Sequence, residues 1–201
     1  MEDKMKRIIF ATTNEGKMKE IRLILKDLDY EVVSLKEAGL NPEIIEDGKT
    51  FEENAIIKAK KVMELTGEMA LADDSGLEID YLNKEPGIYS ARFLGETTSY
   101  DIKNQYFLDQ LKDVSEDKRT ARFVCAIALA YPDGRCITKQ ATIEGRIAHE
   151  IAGENGFGYD PIFYVPEFSC TAAELSMEQK NKISHRAKAL NAIKTELISG
   201  E

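Results

Sequence analysis

Two hydrophobic periods run through this chain, and the switches between them outline its elements. Arg7-Ile8-Ile9-Phe10-Ala11 reads as a buried strand, and Met18, Ile21, Ile24, Leu25 and Leu28 then recur at helical spacing. A strand from Glu31 to Leu35 follows, then a loop rich in glycine, proline and acids through Gly48. Thr50-Phe51-Glu52-Glu53 is a capping box opening a helix that carries Phe51, Ala55, Ala59, Val62 and Met63 until Thr66-Gly67 stops it. The apolar run from Met69 ends at Asp73-Asp74-Ser75-Gly76, where a turn is expected, after which Leu77, Ile79 and Tyr81 alternate. Pro86-Gly87 turns the chain, and a helix from about Ser99 to Lys112 is predicted to bury Ile102, Phe107, Leu108 and Leu111. Thr120–Tyr131 and Ile137–Ile147 read as long strands joined by the hairpin turn Pro132-Asp133-Gly134, so a mixed sheet is favoured over a purely parallel one. The segment Gly153 to Pro161 is too irregular for a helix and too glycine-dense for a central strand. Ser184 is a candidate N-cap for a last helix that turns Ala187, Leu190, Ile193 and Leu197 inward.

Composition narrows the class. The 201 residues, 43% hydrophobic, suffice for one domain or two closely joined lobes, and no repeat or long linker interrupts them. The single-domain reading leaves Met1 to Lys6 as a loose end. No transmembrane run or signal peptide is visible, so a soluble intracellular protein is expected. A formal charge of −9 disfavours nonspecific binding to nucleic acid. Cys125, Cys136 and Cys170 are odd in number and lack CxxC spacing, which fits reduced structural thiols.

Four places carry candidate chemistry. Asp73 and Asp74, at the expected end of a strand, could hold Mg²⁺ and leave positions for water and phosphate oxygens; a solvated turn is the plain alternative. Thr12-Thr13-Asn14-Glu15-Gly16-Lys17 offers hydroxyls, backbone N–H groups, a helix N-terminus and an ammonium to an anion. It is not a Walker A loop, which would want glycine in place of Ala11 and Ser or Thr in place of Met18. Phe157, between Gly156 and Gly158, could offer a ring face to a planar base, with Asp160 accepting from its edge; the alternative is a core ring beside a turn acid. His185 and Arg186 fall in a first helical turn, where the macrodipole disfavours cations unless an anion is also bound, and Lys180 lies just upstream.

Taken together, the segments T-T-N-E-G-K, T-F-E-E-N-A-I-I-K-A, A-D-D-S-G-L, P-G-I-Y-S-A-R-F, G-F-G-Y-D-P-I-F and K-N-K-I-S-H-R-A resemble the inosine triphosphate pyrophosphatase family, also called the Ham1 family. The resemblance runs from about Lys6 to Leu197. It implies an α/β fold with an elongated mixed β-sheet flanked by helices, in two lobes with a central nucleotide-binding groove. It also implies Mg²⁺-dependent hydrolysis of ITP, dITP and XTP to monophosphate and pyrophosphate by a cytoplasmic homodimer, with no nucleic acid or membrane partner. Nucleotide contacts carried over by the motifs fall on Thr12, Thr13, Asn14, Glu15, Gly16, Lys17, Ser75, Phe157, Gly158, Tyr159, Asp160, Lys180, His185 and Arg186. Lys58 matches a further phosphate-binding lysine. Asp74 matches the catalytic base, and the metal falls to Asp74 and Glu46.

Elementary chemistry gives these roles reasons. A triphosphate repels attacking hydroxide unless a divalent cation and Lys17, Lys58, Lys180 and Arg186 neutralise its oxygens. Asn54 and Lys58, four residues apart, share one face of their helix. A 6-oxo purine presents an acceptor at position 6 and a donor at N1, the reverse of adenine, so donors near His185-Arg186 and an acceptor at Asp160 would reject ATP. Each mismatch costs about 1–3 kcal/mol. Two alternatives remain: a Maf-type nucleotide pyrophosphatase with another base specificity, which F-G-Y-D and S-H-R argue against, and a nonenzymatic nucleotide-binding module, which would not need Glu46, Asp73 and Asp74.

Overall fold

The structure is a computed structural model and describes residues 6–199. Most of the expected loose N-terminal end lies outside the described residues. Seven strands, β1 (Lys6–Phe10), β2 (Tyr30–Ser34), β3 (Met69–Ile79), β4 (Thr120–Ala130), β5 (Cys136–Ile147), β6 (Phe163–Val165) and β7 (Cys170–Thr171), hydrogen-bond in the order β2-β1-β3-β4-β5-β6-β7. β1 runs parallel to β2 and β3, whereas β5–β6 and β6–β7 are antiparallel, so the sheet is mixed. The helices are α1 (Glu15–Leu25), α2 (Phe51–Thr66), α3 (Tyr100–Gln110), α4 (Met177–Ile183) and α5 (His185–Ser199).

The residues group into two compact units. Of the described residues, the first comprises 6–74, 125–141 and 186–199, and its core joins Ile8 and Phe10 of β1 to Met18, Ile21 and Leu25 of α1 and Leu190, Ile193 and Leu197 of α5. The second comprises 75–124 and 142–185, and Leu77, Phe107, Phe123, Tyr159, Ile162 and Phe163 lie in its core. Boundaries between the units fall at Asp74/Ser75 and His185/Arg186, inside two of the motifs singled out by sequence.

Several expectations need correction. The Asp73-Asp74-Ser75-Gly76 segment is not a turn: β3 continues through it without a break to Ile79, and Gly76 is buried. Tyr81 then lies in a 3-10 turn and is exposed rather than alternating in a strand. In α3, Ile102 is 60% exposed, because the buried stripe is Lys103, Asn104, Phe107, Leu108 and Leu111. Two polar residues on that stripe disguised its phase. The sequence reading also missed α4, whose N-cap Ser176 accepts from the Gln179 N–H while Gln179 reaches back to the Ser176 N–H.

Candidate active site

β3 positions two carboxylates with different surroundings. Successive residues of an extended strand project to opposite faces, so Asp73 and Asp74 cannot act as one pair. β1 pairs with β3 in the register Phe10↔Leu71, and Ala11 N–H donates to the Leu71 carbonyl at 2.7 Å, so the loop leaving β1 starts beside the acidic end of this pairing. Asn14 caps α1, its Oδ1 accepting from Lys17 N–H at 3.1 Å, and the Asn14 N–H donates to Thr12 Oγ1 at 3.1 Å. The capped first turn delivers Lys17 Nζ to both Asp73 oxygens, at 3.0 and 2.9 Å. Thr13 and Glu15 line an open cleft with Ser34 and Lys36, and Gly16 follows in the first turn of α1.

Arg186 completes the Asp73 side. Its Nε lies 3.2 Å from Asp73 Oδ2 and its Nη1 lies 2.6 Å from Glu20 Oε2, and all three residues are buried. The sequence reading wanted an anion for this first-turn cation, and the chain itself supplies two. His185 and Arg186 are both buried, at most 7% exposed. Burial alone would push the Asp73 carboxyl up, but Lys17 and Arg186 outweigh it and hold it far below the usual carboxylate range. Glu20, one helical turn after Lys17, was not singled out by sequence; its spacing to Lys17 was the available signal.

Asp74 meets α2 instead. Asn54 Nδ2 donates to Asp74 Oδ2 at 3.1 Å, and Lys58 Nζ bridges Asp74 Oδ1 at 3.2 Å and Glu46 Oε2 at 3.0 Å. The shared helix face read from sequence is the one that reaches the acid. Thr50 caps α2 through the Glu53 N–H, although Glu53 answers to Lys49 N–H rather than completing the expected box at Thr50. The chain before the cap closes on Asn54: Gly48 N–H donates to Asn54 Oδ1 at 2.9 Å, which fixes the amide's orientation toward Asp74. A Cβ at Gly48 would stand 2.6 Å from that same oxygen. One ammonium thus serves two carboxylates. Burial pushes the Asp74 carboxyl up, and Glu46 adds to this, against the pull of Lys58 and Asn54. Among the described residues, no group of three or more His, Cys, Asp or Glu side chains could hold a metal. The oxygen pair Asp74 and Glu46 already shares one cation, a donor set that fits a hard ion completed by phosphate and water.

The second unit carries the aromatic loop. Gly156 and Gly158 adopt φ of 79° and 70°, and Asp160 Oδ2 folds back to accept from Phe157 N–H at 2.8 Å. A Cβ on Gly156 would lie 2.2 Å from that oxygen. Lys180, delivered by α4, donates to the same Asp160 Oδ2 at 2.7 Å, and its Nζ sits 5.0 Å from the Phe157 ring centroid. Phe157 itself is 37% exposed, which sets aside the core reading. Tyr159 is the buried member of the loop, donating from its hydroxyl to the Ser90 carbonyl at 2.8 Å. Asn104 Nδ2 donates to the Gly158 carbonyl at 3.1 Å; Asn104 had no sequence signal, whereas Ser90 lies in the P-G-I-Y-S-A-R-F segment but was given no role there. His185 stacks on Phe123 with centroids 5.1 Å apart, and Asp160, Lys180, Ser184 and His185 line one small crevice with Phe123 and Phe163. Ser75, half-buried, follows Asp74 directly on β3.

These features define an α/β protein whose first unit gathers paired acids and lysines and whose second presents an aromatic ring beside an acid and an ammonium. The chain belongs to the Ham1 family, whose model matches residues 8–196. It is 54% identical over 184 residues to a dITP/XTP pyrophosphatase of Desulforamulus reducens, covering 92% of each chain. It is 49% identical to a dITP/XTP pyrophosphatase of Bacillus subtilis, covering 94% of this chain and 96% of that one. Among solved structures it resembles a Ham1 protein from Coxiella burnetii with a TM-score of 0.89 and 43% identity, over 97% of this chain and 100% of that one. The Staphylococcus aureus Ham1 protein gives a TM-score of 0.88 at 42% identity, over 98% of this chain and 100% of that one.

Proposed function

We infer that this protein is a nucleoside triphosphate pyrophosphatase of noncanonical purines, hydrolysing ITP, dITP and XTP to the monophosphate and pyrophosphate. The observation that carries this reading is the Asp74–Lys58–Glu46 cluster: a buried carboxylate with raised proton affinity, held by a lysine and an amide of one helix. Such a carboxylate is suited to take a proton from water. In the proposed reaction Asp74 accepts that proton, the water oxygen bonds to the α-phosphorus, and the α–β bridging bond breaks to release pyrophosphate. Asp74 and Glu46 would hold Mg²⁺, which supplies charge neutralisation at the phosphate oxygens. Lys17 and Lys58 add positive charge on the same unit, while Arg186 and Glu20 fix Asp73 and, through it, Lys17.

Purine recognition is assigned to the second unit. The Phe157 face suits a planar base, Asp160 suits the N1 donor, and Lys180 beside it is a donor for the 6-oxo group. Lys180 therefore belongs with the base loop rather than with the phosphate cations. Buried polar groups left unpaired by adenine make the rejection of ATP worth about 1–3 kcal/mol per mismatch. The Mg²⁺ requirement, a homodimeric assembly and a cytoplasmic location complete the proposal; no helix of the described residues is long and apolar enough to cross a membrane. The test is to incubate the protein with ITP, XTP, GTP and ATP, with and without Mg²⁺. Turnover of ITP and XTP at least about tenfold above ATP, as one such mismatch requires, supports the reading. Equal turnover of all four, or activity unaffected by chelation, contradicts it.

A further inference from the structure

The arrangement around Lys58 carries an inference that rests on the reading of Asp74 and Glu46 as the metal-holding pair. Lys58 Nζ lies 3.0 Å from Glu46 Oε2 and 3.2 Å from Asp74 Oδ1, and the Lys58 side chain is only 11% exposed. An ammonium has three donors and no acceptor, and two of its donors here occupy lone pairs that a divalent cation would take. We propose that Lys58 and the divalent cation are mutually exclusive occupants of this carboxylate pair, so that Lys58 holds the site in the nucleotide-free protein and metal entry drives its ammonium off.

Three observations support the exchange. The two acids come from different segments, one before α2 and one on β3, so without a shared cation their charges would repel. The flexible four-carbon stem of lysine lets its head move while Asn54, one turn earlier, keeps Asp74 in place. Lys58 is also confined to this pair: its side chain is only 11% exposed and its ammonium lies within 3.2 Å of both acids. Lys58 is therefore a standing competitor for metal. A displaced ammonium needs a new anion, which the phosphates of an incoming nucleotide provide, so metal and nucleotide binding should reinforce each other.

The test measures Mn²⁺ binding to the nucleotide-free protein by calorimetry. Lys58→Gln, which removes the charge at nearly the same length, should bind Mn²⁺ at least about tenfold more tightly than the wild type, and adding Glu46→Gln should abolish that gain. Equal or weaker binding by Lys58→Gln, or a gain that survives Glu46→Gln, overturns the proposal. If Lys58→Gln does not fold, the wild type decides: acetylation of Lys58, followed by peptide mass spectrometry, should quicken several-fold when Mn²⁺ is added. Unchanged or slower labelling overturns the exchange. None of these readouts needs turnover. A protein that hydrolyses ITP without the exchange loses this inference alone, and one that shows the exchange without hydrolysis loses only the pyrophosphatase reading.

Discussion

Burial raises the proton affinity of any carboxyl group, and Asp73 and Asp74 differ in how far their neighbours oppose it. Asp73 meets two cations and is held strongly ionised; Asp74 shares one ammonium with Glu46 and is raised. Only the second is suited to proton transfer. Asp74→Asn should therefore lower kcat by about 10²- to 10⁴-fold while leaving the melting curve nearly unchanged, and near-normal turnover would remove Asp74 from its role. Phe157 tests the other unit. Its ring is 37% exposed, so Phe157→Ala should weaken nucleotide binding by about 1–3 kcal/mol with little loss of melting temperature. Early melting with unchanged KM would contradict the stacking role. The importance of the acidic dipeptide was legible in sequence, but which acid did what was not. That division depends on Lys17, Arg186 and Lys58, whose approach to β3 is a matter of tertiary structure.

Local signals placed most elements well. The periodic segments became α1, α2 and α5, and Pro132-Asp133-Gly134 joins β4 to β5, with Gly134 at φ 91°. What failed were the places where polar residues occupy buried positions. Asp73 and Asp74 inside β3 imitated a turn, and Lys103 and Asn104 inside α3 shifted its apparent stripe. Such violations of binary patterning concentrate at functional or specially supported sites. The loop before α2 gives an element-scale prediction. Gly48→Ala would force a Cβ within 2.6 Å of Asn54 Oδ1, turning the amide away from Asp74. The expected outcome is a loss of kcat larger than the change in KM for ITP, since the disturbance falls on the acid rather than on the base loop. A variant with wild-type kcat would show that the Asn54 contact is dispensable.

Across the whole molecule, the network Glu20–Arg186–Asp73–Lys17 joins residues 113 and 166 positions apart to two helices and a strand of the first unit. No local pattern encodes it, although S-H-R-A marked its last member. Because the Asp73 carboxyl is lowered in the folded state, its contribution to stability is present above its unfolded value of about 3.9 and is lost as pH falls below that. Melting temperature should thus drop from about pH 5 downward. Asp73→Asn should cost about 3–5 kcal/mol at neutral pH and flatten the acid limb, as followed by denaturant unfolding across pH. An acid limb as steep in the variant as in the wild type would exclude Asp73 as its source. The most direct test of the account as a whole is hydrolysis of ITP in ¹⁸O-labelled water with products read by ³¹P NMR and mass spectrometry. Attack at the α-phosphorus predicts IMP carrying the label together with unlabelled pyrophosphate; IDP with orthophosphate, or label in the pyrophosphate, would contradict it.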